Sequence, residues 1–244
     1  MARSNKQQQK QKVPMQYSTL REYFVTIVLC TIVALFLTTY VVHPMSVPTP
    51  SMEPSILVGD RVLVDKFTFR NGFESILPLT PVRQVARQDI IVCKSPLQPD
   101  ILLVKRVVGI PGDTFEIRNK AVYIDGELLE EPYKQHSDPT VHEVGQSLPI
   151  RSGTQRDNYG PVIIPTEHYF MMGDNRDNSL DSRYWNFLPA RNIVGKPLII
   201  FWSYQDPPNA HLKTSVFELV ELYAKRITFF ITRTRWSRMG RSLQ

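Results

Sequence analysis

Residues 24–42 are nineteen consecutive positions without a charged side chain. As a helix, such a run matches the roughly 20 residues needed to cross a bilayer's hydrocarbon core. Tyr23 and Tyr40 stand near its two ends, where interfacial aromatics belong. A cleaved signal peptide is one alternative, but its apolar core is shorter, about 7–15 residues, and ends at small residues. Val42-His43-Pro44 is a poor match to that. A helix buried in a soluble core is the other alternative. The reading adopted is an uncleaved transmembrane helix over residues 24–42. Residues 1–21 hold five Lys/Arg and no acid, and no Lys or Arg directly follows the run. Basic flanks stay inside, so residues 1–23 are expected to be a cytoplasmic tail, polar and without a fold of their own. The rest of the chain is then expected on the outer side of the cell membrane.

About 200 residues follow the span, enough for one well-buried core. Proline is frequent (19) and glycine modest (11), and Val, Ile and Thr come in short runs broken by Pro, Asp and Asn. This favours β-structure with many turns over a helical bundle. Strands are expected at residues 60–66, 90–93, 102–108, 169–172 and 197–204. Thr114–Arg118 and Ala121–Ile124 read as a hairpin turning at Asn119-Lys120, with a second turn at Asp125-Gly126. Residues 127–160, rich in Pro, His, Asp and Gly, read as a surface excursion from a domain spanning 43–206. The tail, 207–244, differs. Val216, Phe217, Val220, Tyr223 and Ile227 fall near helical spacing, and only six uncharged residues separate Arg226 from Arg233. That cannot span a membrane. It is expected to be a basic amphipathic helix, lying on a lipid surface or packed on the body.

The net charge of +6 resides in the two ends, which leaves the body between them mildly acidic. Basic ends beside apolar segments point to membrane lipid. A nucleic-acid partner is not expected, because the body lacks a basic stripe interleaved with aromatics. Cys30 lies in the apolar run and Cys93 in an expected strand, too far apart for a disulfide. The histidines show no metal-ligand spacing, and Gly195-Lys196 lacks the upstream glycine of a phosphate loop. No metal, nucleotide or other cofactor is implied.

Three segments carry chemistry. Ser51 stands in Pro48-Thr49-Pro50-Ser51-Met52-Glu53-Pro54, just past the span. A serine between prolines is ordinarily a turn residue. A serine hydroxyl becomes a nucleophile only when a neighbouring base takes its proton. Lys105 stands in Leu102-Leu103-Val104-Lys105-Arg106-Val107-Val108-Gly109. On a strand it shares a face with Leu103 and Val107, while Arg106 points the other way with Val104 and Val108. Most strand lysines snorkel to water, but one desolvated among aliphatics loses its proton more readily. The third segment, residues 173–185, is dense in Asp, Asn, Ser and Arg. Much of it is expected to bond local backbone, as polar turns do. No Gly-x-Ser-x-Gly elbow is present, and His43 and His168 are poorly placed for a Ser-His-Asp triad.

Together, and in this order, the three segments resemble the motif set of the type I signal (leader) peptidases. These are membrane-anchored serine proteases with a Ser-Lys dyad and a mainly β fold of two antiparallel sheets. The resemblance runs from about residue 48 to residue 197. It implies that Ser51 is the nucleophile and Lys105 the general base. It implies that Thr49 supplies a hydroxyl to the oxyanion hole beside the Ser51 N–H. It implies that Ser179 hydrogen-bonds the lysine, that Asp181 and Arg183 form a supporting ion pair, and that Asp174 and Arg176 brace the loop. Val47, Met52, Ile56 and Leu103 become candidates for the substrate pocket. The implied partners are secretory preproteins, cut after small residues at Ala-x-Ala sites. Gln88 and Asn186 replace glycines usual in the pattern, and the cysteine pair and second N-terminal span of some members are absent. Two other readings stay open: a maturation protease for one pilin-like or secreted partner, and a non-catalytic membrane-anchored binding module.

Overall fold

The computed structural model describes residues 19–66, 68–69, 83–142, 156–206 and 215–243. Most of the expected cytoplasmic tail, the middle of the 127–160 excursion and the start of the C-terminal tail lie outside the described residues. The apolar run forms helix α1 (Thr19–Phe36), continued by a π-helical turn (Leu37–Val41). Its most apolar stretch has a mean hydropathy of 2.4, and none of it is buried. At 1.5 Å per residue it is about 35 Å long, enough to cross a hydrocarbon core of about 30 Å.

The helix begins earlier than the uncharged run and ends at Val41, because Val42 turns to extended backbone (φ −130°, ψ 149°). Pro44 disfavours helix at the residue before it. Strand β1 (Val42–Ser46), which sequence reasoning did not anticipate, therefore starts at once. It is an edge strand, so the N–H that Pro44 lacks is not missed.

β1 pairs with β2 (Asp60–Asp65), which pairs on its other side with β11 (Ile193–Ser203). β3 (Ile90–Lys94), β4 (Leu102–Gly109), β9 (His168–Met172) and β10 (Leu188–Pro189) follow in that order to complete a seven-stranded sheet. A second sheet of four strands runs β7 (Glu127–Leu128), β6 (Ala121–Ile124), β5 (Thr114–Arg118) and β8 (Tyr159–Ile163). Every pairing is antiparallel. The chain is thus mainly β, with an N-terminal apolar helix and a C-terminal helix, as the sequence led one to expect. Asn119 (φ 49°) and Lys120 (φ 68°) take the left-handed backbone that a two-residue hairpin turn requires.

Phe115 stacks on Phe170 at 3.8 Å and Tyr159 meets Phe170 edge-on at 5.1 Å, in a core shared with Val108, Val122 and Met172. A second core, beneath β2 and β11, joins Val62, Val64, Ile90 and Ile200 to Val47, Met52 and Ile56. A third gathers Ile91, Cys93, Val107, Met171 and Trp185, the last residue of the short helix α2 (Ser182–Trp185).

Two expectations need correction. The described parts of 127–160 are more than a surface excursion. Gln135 N–H donates to the Asp174 carbonyl (2.8 Å), Arg176 N–H donates to the Gln135 carbonyl (2.9 Å), and Glu131 is buried. The tail, in turn, is not one surface helix: part of it stands open and its end packs on the body. α3 (Val216–Thr228) and α4 (Phe230–Arg233) leave apolar residues in the open, among them Phe217 at 79% and Ile227 at 78% exposure. Beyond them the chain locks onto the body. Arg238 reaches the Asp60 carboxylate (2.6 Å) and the Ser55 carbonyl (3.0 Å), and Leu243 enters the core beside Met52 and Ile56.

Candidate active site

Pro50 pre-sets the backbone of a short 3-10 helix, Pro50–Met52, that follows the extended Thr49. Ser51 lies in its first turn, where an N–H has no partner within the helix. Its carbonyl accepts from Asn175 N–H (3.1 Å), and the Asn175 side-chain amide donates to the Pro50 carbonyl (3.2 Å). A Cβ at Gly173 would overlap both this Ser51 carbonyl and the Ser179 side chain. Only glycine lets the 173–185 loop come this close.

Lys105 takes its place from strand alternation. β3 and β4 set it opposite Ile91, and its face carries Leu103 and Val107, with Cys93 opposite Leu103. Lys105 Nζ lies 2.6 Å from Ser51 Oγ, and both residues are buried. Burial holds the Lys105 amine below its ordinary value of 10.5, and this outweighs the opposing pull of the Asp181 carboxylate. The site can thus bring a neutral amine against a hydroxyl, a pairing that is rare in water. Only about one lysine in 2,500 is neutral at pH 7 without such help.

The loop behind the pair is built from buried ions. Arg183 donates to both Asp181 oxygens (2.8 Å each), to the Arg176 carbonyl (2.6 Å) and to the Arg156 carbonyl (3.1 Å). Asp181 also accepts from Gly173 N–H (3.1 Å). Burial alone would raise the Asp181 carboxyl, but Arg183 and the Gly173 N–H bring it below its ordinary value. Arg106, on the face of β4 opposite Lys105, clasps Asp174 with two bonds of 2.8 Å and lies 3.9 Å over the Tyr133 ring. Arg176 pairs with Glu131, a partner 45 residues away, and donates to the Gly173 carbonyl (3.2 Å).

The structure thus brings Ser51, Lys105, Asp174, Arg176, Asp181 and Arg183 into one cluster. It corrects other expectations. No hydrogen bond joins the buried Ser179 hydroxyl to Lys105 among the described residues. The lysine amine faces Ser51 instead. Thr49 is exposed and lines a cleft of about 460 Å³ with Ser51, Lys105, Leu97, Ile101 and Leu103. Of the four pocket candidates only Leu103 lines that cleft. Val47, Met52 and Ile56 are 3%, 1% and 0% exposed: Val47 is held by backbone bonds to Asp60 and Gly59 at the end of β1, and the turn after Thr49 carries Met52 and Ile56 into the same core.

Sequence reasoning missed Arg106, Glu131 and Asn175 as parts of the site. Arg106 had left a signal. Its strand face also carried Val104 and Val108, and a charge on a buried face needs a carboxylate.

A membrane-length apolar helix leading into a β-body with a buried serine–lysine pair fits one class, the membrane-anchored serine proteases. The comparisons with known proteins are more particular. The family model described as "Signal peptidase, peptidase S26" matches residues 20–202. A Signal peptidase I of Pseudomonas aeruginosa is 37% identical over 203 residues, 74% of this chain and 72% of that protein. A Signal peptidase I of Pseudomonas fluorescens is 34% identical over 206 residues, again 74% and 72%. One from Aquifex aeolicus, 28% identical, spans 92% of this chain and 99% of its own. The chain belongs to the signal peptidase family, peptidase S26.

Proposed function

We propose that this chain is a membrane-anchored serine endopeptidase that removes signal peptides from secretory preproteins, with Ser51 as nucleophile and Lys105 as base. The observation that carries the reading is the 2.6 Å approach of Lys105 Nζ to Ser51 Oγ inside a buried, aliphatic setting. A neutral amine there accepts the serine proton as Oγ attacks the scissile carbonyl carbon. The oxyanion that forms meets the Ser51 N–H and the Thr49 hydroxyl. Donors aimed at such developing charge are commonly the largest single contribution to acyl transfer. Collapse breaks the C–N bond. The lysine ammonium returns its proton to the departing amine and leaves an acyl-enzyme on Ser51. Water then attacks with Lys105 again as base.

The apolar walls of the cleft, Leu97, Ile101, Leu103 and Leu180, suit small side chains before the cut, as at Ala-x-Ala sites. Asp174, Arg176, Asp181 and Arg183 act through the loop, as positioning residues. The anchor, α1, sits in the cell membrane with its basic N-terminal side cytoplasmic and the β-body outside, where preproteins emerge.

The test is cleavage of a preprotein with an Ala-x-Ala site by the full chain in detergent. Ser51→Ala should abolish it at an unchanged melting temperature, and Lys105→Arg should abolish it as well. The guanidinium cannot be deprotonated in a protein, so turnover by Lys105→Arg would remove the lysine from its role.

A further inference from the structure

A second hollow, about 450 Å³, lies between the tail and the outer face of β2 and β11, lined by Arg61, Trp202, Tyr223, Arg226, Ile227 and Phe230. Arg61 and Trp202 are register partners, with the guanidinium 4.6 Å over the indole. Arg61 makes no hydrogen bond or ion pair among the described residues; it lies on the Trp202 ring, feels the like charge of Arg226, and is attracted only at a distance by Asp206 and Tyr223. Arg226 lies 5.4 Å over the Tyr223 ring and is held by Asp206 (2.8 Å). One carboxylate therefore serves two guanidinium groups. Burial and the repulsion from Arg226 together hold Arg61 below its ordinary value. A half-buried, unpaired cation in an apolar hollow is a costly arrangement that an anion relieves.

The surroundings select the kind of anion. Apolar side chains of the tail stand open, including Ile227 (78%), which lines the hollow, and Val220 (62%) and Ile231 (75%) on the same two helices. The ligand thus meets charge inside and bare hydrocarbon along the rim. Position selects further. Arg61 is the register partner of Ser46, and β1 starts next to Val41, the last residue of the span. At about 3.3 Å per residue, five residues of strand put the hollow within about 16 Å of the end of the membrane helix.

We propose that the hollow binds an anionic phospholipid of the membrane that α1 crosses, with the phosphate between Arg61 and Arg226 and the acyl chains along the exposed face of α3. This rests on the anchored reading above and adds a lipid preference to it. Trp202, Tyr223 and Phe230 form the walls, and the planar guanidinium of Arg61 offers the phosphate paired N–H donors.

The experiment uses the full chain in neutral detergent, and native mass spectrometry reads retained lipid. Phosphatidylglycerol should be retained in preference to phosphatidylcholine, and inorganic phosphate should not displace it. Arg61→Gln should lower retention at least about tenfold, the loss of a charge-assisted bond, while Arg118→Gln, on the other sheet, should not. If Arg61→Gln fails to fold, Arg61→Lys takes its place. It keeps the charge, loses the stacked fork, and should retain less lipid than wild type. Equal retention of phosphatidylcholine would mean an apolar surface only. Displacement by phosphate would mean a free-anion site. Unchanged retention in both Arg61 variants would remove the site altogether. Each of these outcomes overturns the proposal. Preprotein cleavage in the same samples separates the two readings: intact cleavage without lipid preference sinks the lipid site alone.

Discussion

Replacing Glu131 by alanine tests whether the segment after β7 holds the Ser51 site together. Glu131 and Arg176 are fully buried partners, with side chains 0% and 1% exposed. Removing one member of such a pair leaves the other charge uncompensated, at a cost of roughly 3–5 kcal/mol. In a domain of this size each kcal/mol lowers the melting temperature by about 2–4 °C, so a drop of about 6–20 °C is expected. Activity should fall further than stability alone explains. Arg176 also donates to the Gly173 carbonyl (3.2 Å), and Gly173 is packed against the Ser51 carbonyl. A misplacement of about 1 Å at a reacting atom costs on the order of 10²-fold in rate. The assay pairs thermal melts of the full chain in detergent with kcat/KM on a signal-peptide substrate well below the melting point. The double variant Glu131→Met/Arg176→Met should recover much of the melting temperature, because an apolar pair carries no stranded charge. If Glu131→Ala melts within about 2 °C of wild type, less than the shift expected for 1 kcal/mol, and cleaves at the wild-type rate, the bracing argument is wrong.

Four further outcomes follow from the geometry. Cleavage should rise with pH as Lys105 loses its proton, with the limb below 10.5, since burial lowers that amine; a limb rising only near the free-lysine value would contradict a desolvated base. The same lowering means that the unfolded chain binds the extra proton, so this group's contribution to stability falls as pH drops below 10.5, which pH-dependent melts would read. Gly173→Ala should cut kcat/KM at least about 10²-fold, because its methyl displaces the Ser51 carbonyl or Ser179; wild-type turnover would show that the contact is not needed. Arg238→Leu should lower the melting temperature by about 6 °C or more, since it strands the buried Asp60 carboxylate; an unchanged melt would mean the C-terminal segment is dispensable to the body.

Much of this was legible from local pattern. β3 and β4 are β-branched runs, and the two-residue period alone set Lys105 on one face and Arg106 on the other. The left-handed turn at Asn119-Lys120 followed from its place between two short alternating strands. The illegible parts are those set by distant partners. Nothing local in Glu131 announces an arginine 45 residues on. Leu243, one apolar residue in a polar, basic terminus, gives no periodic signal, yet it fills a gap beside Met52 and Ile56. Those two, with Val47, were expected at the pocket by their position in a motif, and motif position does not say which way a turn points. β1 was hidden because Val42 closed the apolar run and Pro44, which has no N–H to give a ladder, argued against a strand.

That strand has a consequence for which bonds can be cut. β1 leaves the span without an intervening loop, and its register with β2 is fixed residue by residue from Val42 to Ser46. Ser51 therefore rides on a stiff post of set length. A slip of one residue would turn every side chain of β1 to the wrong face, so the post cannot be lengthened or shortened in small steps. With α1 in the membrane, as proposed above, depth becomes a criterion of selection. A signal sequence whose scissile bond rests too deep in the lipid, or too far above it, misses the serine however well its side chains fit. In that setting the fixed length of β1 sets the reach of Ser51 from the end of α1 before any substrate side chain is read.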